Sequence, residues 1–445
     1  MDLISTPGKP LLGQVNPPGD KSLSHRACLL AALAYGQSRI ENFLIAGVIE
    51  PMLMALQALG VAWRLEGTTL TVLGRGLEGF LPPRAPLDCG NSATTLRLLA
   101  GALSAAGIPV VLDGSAGLRR RPMRRIVEPL REMGVPVQAA PGDTAPLRLE
   151  ARPVSDRLRG LAHSLPVASA QVKSCLLLAG LAADGPVTLI EPGPSRDHTE
   201  RMLASMGVKI ERLYLPKQGE YLTRLYPPSG RKLSPIDRTL TGDVSSAAFL
   251  IVAALIVPGS DICLRGVGLN PTRTGLLDAL TRMGAQITIE DQRNCTGEPL
   301  GDLYVRYSHL QGVSVDGATV VRMIDEFPAF AVAAACASGT TAVSQAGELR
   351  HKESDRIAAL CSNLNALGVE AYETEDGFRI HGGGIPGGVS VEPHGDHRLA
   401  MALAIAGLAG SEPVMVRSAE VIAESYPGFV HDLCSLGADL EWDGP

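Results

Sequence analysis

The sequence predicts an α/β (α+β) protein of two domains, assembled from six copies of one βαβαββ-type unit, with buried helices inside and sheets outside. Two repeating signals carry this. Ala/Leu-rich segments that begin with small polar or charged residues and end at a glycine occur at residues 21–36, 91–107, 169–185, 243–259, 325–339 and 396–410. In step with them, a hydrophobic residue, a glycine and a Val or Ala recur at Leu59-Gly60-Val61, Met133-Gly134-Val135, Met206-Gly207-Val208, Met283-Gly284-Ala285, Leu367-Gly368-Val369 and Leu436-Gly437-Ala438. The glycines are 74, 73, 77, 84 and 69 residues apart, which sets the length of the repeat.

The third copy shows the order of elements. Residues 169–185 read as the buried helix, stopped at Gly185. Residues 186–190 read as a β-branched strand, 192–194 as a turn, 198–206 as an amphipathic helix and 208–213 as the next strand. Strands at 69–73 and 377–380 follow acidic or Gly-rich turns. Ala, Gly and Ser on the inner helices suit close packing. At 445 residues the chain exceeds one ordinary core, and six units divide as three plus three. The pairs Gly19-Asp20 and Gly242-Asp243 are the expected crossings, giving one domain of residues 1–19 and 243–445 and another of 20–242. Residues 293–298 read as a mobile loop.

A net charge of −6 disfavours nucleic acid or an anionic membrane as partner. The eight cysteines form no CxxC and read as reduced core thiols. The start has no basic segment followed by an apolar run, and the longest apolar run, 247–257, is too short to span a bilayer. A cytoplasmic location is expected, as a monomer.

Helix N-termini attract anions. The first, Pro18-Gly-Asp-Lys-Ser-Leu-Ser-His-Arg26, adds two cations and two hydroxyls, which suits a phosphate; its alternative is an N-cap with solvated charges. The third adds Ser169 and Gln171, the fifth Asp325-Glu326, and the sixth Asp396-His397-Arg398. Five arginines fall within residues 119–125, and Lys352 and Arg356 have the i, i+4 spacing of one helical face. Repeat symmetry would gather Lys21, Arg26, Arg121, Lys352, Arg356 and Arg398 in one cleft for a small polyanion. Asp325 and Glu353 are carboxylates among those cations; Asp325 reads as a general base or as a plain helix cap. Gly74-Arg-Gly-Leu-Glu-Gly79 matches a dinucleotide fingerprint, but Phe80-Leu-Pro-Pro follows and no helix opens. The histidines show no metal-ligand spacing, so no metal is expected.

Taken together, Pro18–Arg26, Gly90-Asn-Ser-Ala-Thr94, Arg120-Arg-Pro122, Ala168-Ser-Ala-Gln171, Arg196-Asp-His198, Asp325-Glu326, Lys352-Glu-Ser-Asp-Arg356 and Asp396-His-Arg398 resemble the EPSP synthase family of enolpyruvyl transferases, in order over nearly the whole chain. The resemblance implies a two-domain fold of three repeats each. It also implies transfer of the enolpyruvyl group of phosphoenolpyruvate to the 5-hydroxyl of shikimate 3-phosphate, releasing phosphate without a cofactor. Lys21, Ser22, Arg26, Ser169, Gln171, Arg196, Asp325 and Lys352 would then hold shikimate 3-phosphate. Lys21, Asn91, Ala93, Arg121, Gln171, Arg356 and Arg398 would hold phosphoenolpyruvate, and Asp325, Glu353 and Lys21 would be catalytic. Ala93, where herbicide-sensitive members have Gly, implies glyphosate tolerance.

Two positions depart from the pattern. Val48 stands where many members have an acidic residue, and no Lys occurs in Ala423-Glu424-Ser-Tyr-Pro427. The alternatives are the sister transferase acting on a UDP-amino sugar, many members of which use a loop Cys absent between Cys89 and Cys175, and a non-catalytic anion-binding relative.

Overall fold

The computed structural model describes residues 1–153, 155–295 and 297–444. The chain forms two compact units. Unit 1 comprises Met1–Asp20, Thr241–Asn294 and Pro299–Pro445; unit 2 comprises Lys21–Leu240 and Cys295–Glu298.

Unit 2 is built around three inner helices, Lys21–Leu33, Ala93–Ala106 and Ala170–Gly180. Unit 1 has Val244–Ile256, Phe327–Cys336 and His397–Leu408, the first and third of them buried along their whole length. Small residues set the packing distance. A Cβ on Gly101 would stand 2.1 Å from the Cys175 carbonyl oxygen, so the second and third inner helices touch backbone to backbone. The helices end earlier than the glycines predict in some copies. Gly107 is a left-handed C-cap, but the third helix stops at Gly180, and Gly36 already lies in the strand Tyr35–Glu41.

The described strands form six four-stranded sheets, all with one topology. Numbered in repeat order the strands run 1-2-4-3, with 1 and 2 parallel and the other pairs antiparallel, as in Leu161–Ser164, Val187–Glu191, Glu220–Leu225, Ile210–Leu215. Three sheets borrow a strand from a distant part of the chain. Leu12–Val15 pairs in parallel with Asp261–Gly268 and completes the fourth copy. Asp237–Thr239 pairs in parallel with Tyr35–Glu41 and completes the first copy. Asp2–Thr6 pairs with Val414–Val416 and Asp439–Asp443 and completes the sixth.

The repeated hydrophobic-Gly-Val/Ala triplet is a helix stop. Each of its glycines has positive φ, from 82° at Gly60 to 107° at Gly437. The next N–H reaches back five residues in every copy: Val61 to Leu56, Val135 to Leu130, Val208 to Leu203, Ala285 to Leu280, Val369 to Leu364 and Ala438 to Leu433, at 2.9–3.0 Å. These are Schellman bonds, and they end the six outer helices.

Two readings are corrected. Arg293–Cys295 and Glu298 lie in paired strands, Gln286–Cys295 and Glu298–Arg306, rather than in a loop; Thr296 lies outside the described residues. Among the described residues the cysteines form no disulfide, but Cys434 is exposed and Cys295 and Cys336 only half-buried, so they are not all core thiols. Among the described residues no helix is long and apolar enough to cross a membrane.

Candidate active site

In unit 2, inner-helix starts and the loops beside them hold the predicted residues. Lys21 and Ser22 open the first helix, half-buried. Arg196 Nη1 donates to Ser22 Oγ at 3.3 Å. Arg26, one turn on, is 3% exposed and donates to Thr199 Oγ1 at 2.8 Å, Ser174 Oγ at 3.0 Å and Ser22 O at 3.0 Å. Its guanidinium lies behind the helix end and stitches three segments together. Ser92 and Ser169 cap the second and third helices through Thr95 N and Val172 N. Asn91 Oδ1 accepts from Ser115 Oγ at 3.0 Å.

Arg97 was not singled out by the sequence. It donates to Gln171 Oε1 at 2.6 Å and to Pro122 O at 3.0 Å, while Gln171 Nε2 donates to Thr94 Oγ1 at 3.0 Å. The amide and the Arg121-Pro122 turn are thereby fixed to the second inner helix. A charge inside the apolar run from Leu96 to Leu103 was the available signal. In the arginine cluster, Arg119 pairs with Asp113 and Arg124 with Glu128. Arg121 is half-buried between the helices Ala116–Arg119 and Arg124–Glu132. Ala93, the first residue of its helix, is 3% exposed and packed into the core.

Val48 is half-buried against the same core, and its carbonyl faces His25 Nε2 at 3.1 Å; Nδ1 faces Lys21 O at 2.9 Å. Burial, with further lowering from the Lys21 and Arg26 charges, pulls the His25 pKa down to about 4.

In unit 1 the other predicted residues meet at one carboxylate. Asp325 Oδ1 lies 3.2 Å from Lys352 Nζ and 3.4 Å from Arg356 Nη1, and Arg398 Nη1 donates to Asp325 O at 3.2 Å. The cap reading of Asp325 fails: the N-cap of Phe327–Cys336 is Glu326, and it makes no side-chain cap bond. Lys352 and Arg356 do not share a helical face. Lys352 is extended, after the short helix Gly347–His351, and Arg356 starts Arg356–Ala366; the turn between them brings both to Asp325.

Arg356 is 1% exposed and gathers carboxylates, with Asp396 Oδ2 at 2.7 Å, Glu353 Oε2 at 2.8 Å and Asp325 beyond. Burial opposes its charge, but Asp396, Glu353 and Asp325 outweigh that and raise its pKa. Asp396 is also desolvated, yet the Arg356 guanidinium holds its pKa below the usual carboxylate value. Its Oδ1 accepts from Arg398 N at 2.9 Å and so caps the sixth inner helix. Glu424, in the segment without the Lys, lies 3.6 Å from His397 Nδ1. A second buried cluster joins Arg273 to Asp20 Oδ2 at 2.8 Å, Asp243 Oδ1 at 3.0 Å and Ser245 Oγ at 2.7 Å.

Each unit thus presents cations and hydroxyls at inner-helix ends, and unit 1 adds a carboxylate held by cations. This is the equipment of a transferase for anionic substrates. The sequence model of EPSP synthase (3-phosphoshikimate 1-carboxyvinyltransferase) matches residues 5–433. The chain is 47% identical over 445 residues to the 3-phosphoshikimate 1-carboxyvinyltransferase of Methylococcus capsulatus, covering 99% of each chain. It is 48% identical over 427 residues to that of Xanthomonas campestris pv. campestris, covering 96% of this chain and 95% of that one. The solved EPSP synthase from Acinetobacter baumannii superposes with a TM-score of 0.87 at 38% identity over the full length of both chains. The enolpyruvyl transferase NikO from Streptomyces tendae, 21% identical, shares the fold with a TM-score of 0.77, covering 100% of this chain and 99% of that one. The chain belongs to the EPSP synthase (3-phosphoshikimate 1-carboxyvinyltransferase) family. Membership decides between the two transferase readings in favour of the shikimate one.

Proposed function

We propose that this chain runs its family's reaction with the residues gathered above. The activity is transfer of the enolpyruvyl group of phosphoenolpyruvate to the 5-hydroxyl of shikimate 3-phosphate, in the shikimate pathway to aromatic amino acids. In this reading residues 1–19 with 243–445 and residues 20–242 both contribute side chains to substrate binding. The observation that carries it is a division of labour: the phosphate-type donors Lys21, Ser22, Ser169, Gln171 and Arg196 belong to unit 2, and the cation-held carboxylate Asp325 belongs to unit 1. Neither set suffices alone.

Asp325 takes the proton of the 5-hydroxyl as its oxygen bonds to C2 of phosphoenolpyruvate, while Glu353 delivers a proton to C3. Loss of a C3 proton then restores the double bond and expels phosphate. Lys21, Asn91, Arg121, Arg356 and Arg398 steady the phosphate and carboxylate; at Arg356 a bound anion competes with Glu353 for one edge of the guanidinium. Lys352 holds the Asp325 carboxylate in place, and Arg26 holds Thr199, Ser174 and the Ser22 carbonyl. Fixed cations in a closed, water-poor site stabilise the developing charge. A buried methyl at Ala93 tightens the phosphoenolpyruvate end and disfavours the longer inhibitor glyphosate. We infer a cytoplasmic monomer that needs no cofactor.

Lys21 is assigned to both ligands, so shikimate 3-phosphate should tighten phosphoenolpyruvate binding. Calorimetric titration of phosphoenolpyruvate, or of a non-reacting analogue, with and without shikimate 3-phosphate checks this. Equal affinity in both would contradict a Lys21 shared between the two ligands.

A further inference from the structure

We propose that Lys173, a buried lysine that the reaction does not use, is the positioning residue that aims Arg196 at the phosphate of shikimate 3-phosphate. The inference rests on the reading of Arg196 given above. Lys173 is two residues beyond Gln171 on the third inner helix, and its side chain is 3% exposed. An ammonium has three protons. Here the ammonium donates to Glu191 Oε1 at 2.8 Å and Ser195 O at 3.3 Å, and it forms an ion pair with Glu200 Oε1 at 2.9 Å. Both carboxylates are as buried as the lysine. Burial works against the charge on Lys173, but Glu200 and Glu191 outweigh it.

A buried ion pair of this kind is a poor source of stability compared with packed apolar side chains. What it supplies here is direction. Glu191 ends the strand Val187–Glu191, and its carboxylate accepts from Ser195 N at 3.2 Å and Ser195 Oγ at 2.8 Å. With Lys173 on Ser195 O, the N–H, the carbonyl and the hydroxyl of Ser195 are all fixed. On the other side of Arg196, Asp197 is held by Arg201 Nε at 2.7 Å and by Arg212. The backbone on both sides of Arg196 is therefore pinned, and its guanidinium is delivered to Ser22 at the start of the first inner helix. Ser174, the neighbour of Lys173, bonds Thr199 at 2.7 Å, and both accept from Arg26. Adjacent residues of one helix thus set both arginines assigned to shikimate 3-phosphate.

A double-mutant cycle on the full-length enzyme tests this. The variants are Lys173→Met, Arg196→Ala and their combination, and the readouts are the Kd for shikimate 3-phosphate and the two KM values. Each single change should weaken shikimate 3-phosphate by about tenfold or more, the scale of one charge-assisted hydrogen bond. The double variant should be no weaker than Arg196→Ala by more than about threefold, because Lys173 acts through Arg196. The KM for phosphoenolpyruvate at saturating shikimate 3-phosphate should stay within about threefold of wild type, a split that general loosening of the fold would not give. If thermal melting shows Lys173→Met unfolded, Glu191→Gln, which loosens the same turn while keeping the ammonium, replaces it in the cycle. Multiplicative losses in the double variant, or an unchanged Kd in Lys173→Met or its replacement, would overturn the inference. An unchanged Kd in Arg196→Ala would overturn the assignment of Arg196 itself, and the inference with it.

Discussion

The Asp325 carboxylate stands 3.2 Å from the Lys352 ammonium. Their contact depends on a turn: Lys352 is extended and Arg356 opens the following helix, so residues four apart converge on one oxygen without sharing a helical face. A carboxylate so held is fixed in direction, as a base for a bound hydroxyl must be.

In the proposed reading Ala93 sets the response to glyphosate. Overpacking in a rigid site costs roughly 1–3 kcal/mol, or about a 5- to 150-fold loss of glyphosate affinity. The wild-type enzyme should therefore be tolerant, and Ala93→Gly should sensitise it. Because Ala93 is only 3% exposed, the contest is with a core-packing role. Equal inhibition constants for the two proteins would leave only that role.

Val48→Asp tests the first departure from the family pattern. Val48 packs against the unit 2 core and its carbonyl faces His25. If the segment has repacked around an apolar side chain, the carboxylate should lower the melting temperature without a gain in turnover. Higher turnover at unchanged melting temperature would mean that a carboxylate at this position helps to orient Lys21 or a neighbouring charge.

His25 gives the fold an acid limit. Its folded-state pKa of about 4 lies below the ordinary value of 6.5, so the neutral ring is favoured in the folded protein. Stability from this group is complete above pH 6.5 and is lost as pH falls towards 4, by about 3 kcal/mol in all. His25→Gln should flatten the denaturation midpoint across that window. An unchanged pH profile would show that other groups set the acid limit.

The periodic features were legible in the sequence because each copy repeats one physical device. The Leu59-Gly60-Val61 triplet and its five relatives are helix stops that need a positive φ, and only glycine adopts it cheaply. The inner helices were legible as apolar runs, whereas Asp237–Thr239 and Asp2–Thr6 were not placed in their sheets. They pair with strands far away in sequence, and pairing partners leave no local mark. In the site, charged residues at helix starts were readable. Lys173 and Arg97 were passed over, since a lone cation in a helix looks alike whether it is solvated or buried against carboxylates. Lys352 and Arg356 were named together for the wrong local geometry, because i, i+4 spacing describes a helix and the chain turns between them.

In the proposed mechanism this chain transfers an enolpyruvyl group with Asp325 as the base. The most direct measurement is phosphate release on mixing shikimate 3-phosphate with phosphoenolpyruvate, for wild type and for Asp325→Asn. The amide keeps the shape but cannot take the proton. Wild type should release phosphate only when both substrates are present, and Asp325→Asn should bind both yet turn over about 10²- to 10⁴-fold more slowly. No release by wild type, or near-wild-type turnover by Asp325→Asn, would contradict the account.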